Sequence, residues 1–189
     1  AKNLSFSYDD NKLFKYGDFK IKRGEKILIK GKSGVGKSTL LDILAGIQLP
    51  TSGSLIFYDI NDNQIEYPNI GYCPQIPLIL EDDINANIQL KFDGESYIKI
   101  DNIFDIADNL FSSKNITNLS AGELKRVGLS RILHMDNDIM ILDEPLANLD
   151  FESQNLVIQN LIKNIDKTII TVSHNNVLDK FFKKIIYVE

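Results

Sequence analysis

The stretch Gly31-Lys32-Ser33-Gly34-Val35-Gly36-Lys37-Ser38-Thr39 constrains this chain more than any other. It fits the pattern G-x-x-x-x-G-K-[ST], and its flanks agree with it. Ile27-Leu28-Ile29 before it reads as a buried strand, and Lys37–Ala45 after it carries Leu40, Leu41, Ile43 and Leu44 at helical spacing, with Gly46 placed to end the helix. Glycines let successive backbone N–H groups turn inward around an anion, and the helix N-terminus adds its partial positive charge. Gly31, Ser33, Gly34, Gly36 and Thr39 then line a phosphate cradle, Lys37 neutralises the outer phosphates, and the Ser38 hydroxyl can hold Mg²⁺. The motif alone implies a nucleoside triphosphate and leaves the chemistry open.

The rest of the chain alternates strands with helices. Leu4, Phe6 and Tyr8 alternate with Ser5 and Ser7, which predicts a half-buried strand near 3–8, and Phe19 and Ile21 repeat the alternation. Further strands are expected at Leu55–Tyr58, Ile70–Cys73, Ile139–Leu142, Ile169–Val172 and Lys184–Val188, and helices at Ser120 to about His134 and Glu152–Asn164. From Asp82 to Asn118 the composition turns to Asn, Asp and Ile with apolar residues every three or four positions, which predicts a small helical insert. Such an order implies an α/β fold with a parallel sheet covered by helices on both faces. The strand Ile139–Leu142 runs into Asp143-Glu144, which puts two carboxylates at the edge of the sheet where ligands of parallel sheets bind. Asp143 suits a water-mediated Mg²⁺ contact, and Glu144 is placed to polarise a water.

Composition narrows the class. The 189 residues carry 21 Lys+Arg against 26 Asp+Glu, a net charge of −5, with 43% hydrophobic residues. That is one domain with a full core, and the acidic balance argues against wholesale binding of nucleic-acid backbone. No apolar run approaches the roughly 18 residues that span a bilayer. The lone Cys73 reads as a small buried hydrophobe and favours a reducing setting. The start at Ala1 and the end at Glu189 read as cuts close to a domain boundary, although removal of an initiator Met gives the same start.

Leu119-Ser120-Ala121-Gly122-Glu123 opens a helix about twenty residues before Asp143 and resembles the LSGGQ signature of ATP-binding cassette (ABC) ATPases. Ser120 and Gly122 at a helix N-terminus make a second anion site, and Ser120 with Glu123 also spells a capping box. Other landmarks of the family fall in order. Tyr8 matches the aromatic that stacks on adenine, Gln75 the glutamine that senses Mg²⁺ and the γ-phosphate, Leu149-Asp150 the end of the D-loop, and His174 the switch histidine. The sequence departs from the family at Ala121 and Glu123, which replace the usual glycine and glutamine, and at Asn148, where alanine is common. His134 matches no family position and suits the C-terminus of its helix, while Arg126 and Arg131 read as structural.

The resemblance implies a phosphate-loop NTPase fold with an N-terminal antiparallel β part and a helical subdomain over about 76–135, all within one ATPase domain spanning 1–189. It implies ATP and Mg²⁺ as cofactors, with Glu144, His174 and Gln75 catalytic, Ser38, Gln75 and Asp143 around the metal, and Ser120, Gly122 and Asp150 completing the nucleotide site. It further implies a head-to-tail dimer closed by two ATP molecules and a transmembrane partner, which puts the domain at the cytoplasmic face of a membrane. Asp83–Ile88 resembles the segment that follows the glutamine loop in exporters, and this favours an exporter domain. Asp143-Glu144-Pro145-Leu146 looks more like a stand-alone subunit of an importer or two-component efflux system, which is the alternative. An ABC-type DNA-repair or translation ATPase fits least, because the chain has neither a coiled-coil insertion nor a basic run.

Overall fold

A computed structural model describes residues 1–8, 13–80, 83–90, 119–163 and 167–188. The elements in chain order are β1 (Lys2–Ser7), β2 (Leu13–Gly17), β3 (Lys26–Lys30), α1 (Lys37–Leu44), β4 (Ser52–Ser54), β5 (Phe57–Tyr58), β6 (Gln64–Ile65), β7 (Ile70–Cys73), α2 (Ile84–Gln89), α3 (Ala121–His134), β8 (Ile139–Asp143), α4 (Phe151–Lys163), β9 (Thr168–Val172), a 3₁₀ turn (Asn176–Lys180) and β10 (Lys184–Tyr187). They fall into two compact units, one of residues 1–72, 137–143 and 167–189, the other of 73–136 and 144–166.

The first unit is built on a five-stranded sheet in the order β10-β3-β9-β8-β7. The pairs β10/β3, β3/β9 and β9/β8 are all parallel. Its strands are continuous apolar runs, and Ile27, Leu28, Ile29, Met140, Ile141 and Ile169 are fully buried, as expected of a parallel sheet's interior. Leu40, Leu41, Ile43 and Leu44 of α1 join this core together with Leu4, Phe6, Phe14 and Tyr16 from the N-terminal sheet. That second sheet, β2-β1-β4, is antiparallel. The α/β class, the parallel sheet and the antiparallel N-terminal part all stand as expected.

Two strand expectations need correction. Phe19 and Ile21 lie in irregular backbone, and the strand is Leu13–Gly17 instead, where Phe14 and Tyr16 point inward and Leu13 and Lys15 outward. The expected Leu55–Tyr58 strand shortens to Phe57–Tyr58, because Leu55 and Ile56 are irregular. Ser52–Ser54 before it pairs with β1, whereas Phe57–Tyr58 forms a separate antiparallel hairpin with β6. Local alternation could not distinguish these partners, because a strand is settled by what it pairs with.

In the second unit α2 and α3 pack through Ile84, Ile88 and Val127. Arg131 ties the same elements, donating to the Asn87 carbonyl at 2.7 Å and the Leu78 carbonyl at 3.0 Å, which bears out its structural reading. His134 Nδ1 donates to the Ser130 carbonyl at 2.8 Å and so satisfies one of the last carbonyls of α3. Most of the expected 82–118 insert lies outside the described residues, save α2.

Candidate functional site

The phosphate loop leaves β3 after Lys30 and enters α1 at Lys37. Gly34 and Gly36 adopt φ +75° and +90°, a left-handed region that side-chain-bearing residues enter at a cost. Gly36 has a second reason to be glycine, since an added Cβ would stand 2.6 Å from the Phe14 ring. The Lys37 ammonium folds back over the loop and donates to the Gly31 and Lys32 carbonyls, each at 2.9 Å. No side chain caps the N-terminus of α1 and no acidic residue stands in its first turn. Its dipole therefore favours an anion at this end. Ser38 is exposed on that turn, and Thr39 beside it is buried and shares a 3.1 Å hydrogen bond with the Tyr8 hydroxyl. Tyr8 itself is 68% exposed, held edge-on by Phe6 and Phe14.

Strand register brings the remaining first-unit residues to the same place. Ile29 of β3 pairs with Val172 of β9, and Val172 pairs with Asp143 of β8. One lateral row thus joins the base of the phosphate loop, the buried carboxyl of Asp143 and the strand end that His174 follows by two residues. These parallel strands all present their carboxyl ends at this edge. His174 is exposed, just beyond buried Ser173.

The signature segment lies in the second unit. Ser120 is the N-cap of α3, accepting from the Glu123 amide at 3.3 Å, while its own amide and hydroxyl donate to the Glu123 carboxylate at 2.8 and 2.6 Å. Those donors hold the Glu123 carboxyl below the usual carboxylate range. Gly122 faces the backbone of the D-loop: an added Cβ would stand 2.9 Å from the Asn148 carbonyl.

The family model for ABC transporters matches residues 14–147. The chain belongs to the ABC transporter family. It is 32% identical over 206 residues, covering all of this chain, to the lacticin-481/lactococcin-DR transport/processing ATP-binding protein lcnDR3 of Lactococcus lactis, of which it spans 29%. It is 34% identical over 195 residues to the energy-coupling factor transporter ATP-binding protein EcfA1 of Fusobacterium nucleatum, covering 93% of this chain and 72% of that protein. The dimeric structure of a bacterial ABC transporter cassette superposes with a TM-score of 0.79 at 25% identity, over 99% of this chain and 92% of that one. The chain spans about a quarter to a third of the length of the first curated relatives it matches.

Within this ABC cassette, Asn148 gains a physical account. It sits at φ +62° beside Gly122, and asparagine tolerates that left-handed backbone better than alanine does. Glu144 too is left-handed, at φ +47°, a strained conformation for a residue with a side chain and one that accumulates at functional positions. Asp150 accepts from the Ser153 amide at 2.9 Å and hydroxyl at 2.8 Å, which caps α4 and holds its carboxyl low. Gln75 is exposed and Cys73 buried, the latter as read from sequence. Phe14 and Tyr16 are the residues at the loop that sequence reasoning passed over. The alternation Leu13-Phe14-Lys15-Tyr16 was the available signal.

Proposed function

We propose that this ABC cassette hydrolyses ATP at its phosphate loop and powers transport across a membrane through head-to-tail pairing with a second cassette. The reading is carried by the single sheet edge that collects the uncapped α1 terminus, Lys37, Asp143 and the approach to His174. The residues present fit the nucleotide. The exposed Tyr8 ring offers a face to adenine, the amides of Ser33, Gly34 and Gly36 with the Gly31 turn cradle the phosphates, Lys37 balances their charge, and Thr39 closes the first turn. Ser38 and Asp143, with Gln75, would hold Mg²⁺, which withdraws charge from the phosphates when bound. That ion is ordinarily bound through only one or two carboxylates, with phosphate and water completing its shell. The described residues accordingly contain no cluster of three or more His, Cys, Asp or Glu that could hold a metal alone.

Glu144 takes a proton from water, whose oxygen attacks the γ-phosphorus. The bond to the β–γ bridging oxygen breaks, ADP leaves with that electron pair, and inorganic phosphate forms. His174 hydrogen-bonds the γ-phosphate. Ser120 and Gly122 of one copy grip the γ-phosphate held by Lys37 and Ser38 of the other, and Asp150 keeps the D-loop beside the signature. Ligand that bridges only the closed pair drives closure, and hydrolysis releases it.

An exporter domain attached to a membrane part at the cytoplasmic face is the favoured setting, supported by the Asp83–Ile88 segment and by the transport/processing relative of which this chain spans 29%. A separate ATP-binding subunit is the second reading, supported by Pro145 and by the relative of which it spans 72%. No helix among the described residues is long and apolar enough to cross a membrane.

Glu144→Gln tests the reaction. Turnover should fall by about a hundredfold or more, while ATP still binds and dimer accumulates in sedimentation runs. Retained turnover would remove Glu144 from the role of base. In the parent protein, ATPase activity per molecule should rise with protein concentration, and a flat value over about a hundredfold range would overturn the pairing.

A further inference from the structure

Strand β2 turns Phe14 and Tyr16 to the same face, and both reach Gly36, the last residue of the phosphate loop. The Phe14 ring fills the place of a side chain there. The buried Tyr16 hydroxyl donates to the Gly36 carbonyl at 3.0 Å. That carbonyl also accepts the first helical bond of α1, from the Leu40 amide at 2.9 Å, so both of its lone pairs are used. The Gly36 carbonyl and the Lys37 N–H belong to one planar trans peptide and point in opposite directions. Holding the carbonyl therefore aims the Lys37 amide out of the helix terminus, where a phosphate would sit.

We propose that Tyr16 is a positioning residue for phosphate binding, fixing the Gly36–Lys37 peptide in its anion-facing orientation before nucleotide arrives. The proposal rests on the reading of Gly31–Thr39 as the nucleotide site. Preorganisation removes a cost that binding would otherwise pay in ordering the loop. The first turn of α1 is held a second time, by the 3.1 Å hydrogen bond that the Thr39 and Tyr8 hydroxyls share. Burial pushes the Tyr16 phenol up to about 12, which keeps it a protonated donor at neutral pH.

Tyr16→Phe removes one oxygen and keeps the ring, and the Gly36 carbonyl retains its bond from Leu40, so no buried group is orphaned. Calorimetric titration of the full chain with Mg–ATP and Mg–ADP should show both dissociation constants weakened about three- to tenfold, the effect of losing one hydrogen bond. The ligand-free melting temperature should stay within about 3 °C of the parent. Affinities unchanged within about twofold would overturn the assignment, whether or not the melting temperature moves. Lys37→Ala, titrated in parallel, separates the two levels. Parent-like binding by that variant would sink the nucleotide-site reading itself, whereas lost binding there with an unmoved Tyr16→Phe would sink only the role of Tyr16.

Discussion

Two helix N-termini of this ABC cassette solve the same electrostatic problem in opposite ways. The terminus of α1 has no side-chain cap, no acidic residue in its first turn and a left-handed glycine at its head. The terminus of α3 is fully capped by the reciprocal Ser120–Glu123 pair, with a carboxylate already lying against it. The first has no side-chain cap and is held in shape by packing from β2. The second is stable by itself, and a phosphate reaching Ser120 must compete with Glu123 for its hydroxyl. Under the proposed pairing, the end that holds nucleotide in its own subunit is the open one, and the end that meets nucleotide from outside is the closed one.

The sharpest way to break this contrast is at Gly36. Gly36→Ala forces a Cβ into the Phe14 ring at φ +90°. It should cost about 2–3 kcal/mol in denaturant unfolding and abolish ATP binding in calorimetry. A variant that binds as the parent does would show that the α1 terminus tolerates reshaping. Ser120→Ala at the other terminus should cost only about 1 kcal/mol, the usual value of an N-cap, and leave nucleotide affinity of the isolated subunit unchanged. Loss of ATP-driven dimer in that variant would link the cap to closure, as the pairing requires.

The smallest effect is expected at Glu123→Gln, because glutamine can complete the same capping box without the charge. The folded carboxyl lies below its ordinary value of 4.5 through its bonds from Ser120. Its charge therefore stabilises the fold fully above about pH 4.5, and that contribution fades as the pH falls through the folded value. Unfolding curves of parent and Glu123→Gln should differ slightly at neutral pH and converge in acid. A gap that persists once the folded carboxyl is protonated in strong acid would mean that the carboxylate is not what distinguishes them.

Legibility in the sequence followed how local each feature is. The phosphate loop, the signature segment and the apolar strands were readable because spacing alone encodes them. The Ser120–Glu123 cap was readable for the same reason, as all of its partners lie within four residues. The strand misplaced onto Phe19–Ile21 and the shortening of Leu55–Tyr58 to Phe57–Tyr58 were not readable, because their outcome depends on pairing with β1 and β6. Asn148 looked arbitrary until its left-handed backbone and its approach to Gly122 were visible.

The order of motifs from Tyr8 to His174 determined by itself the family and the α/β class, and it singled out the residues proposed to meet phosphate, since each motif carries its chemistry within a few neighbouring positions. Tertiary structure alone decided that Ile29, Val172 and Asp143 share one row, and that Phe14 and Tyr16 stand against Gly36. Those placements come from strand register and long-range packing, in which residues far apart in the chain choose one another by shape and hydrogen bonding.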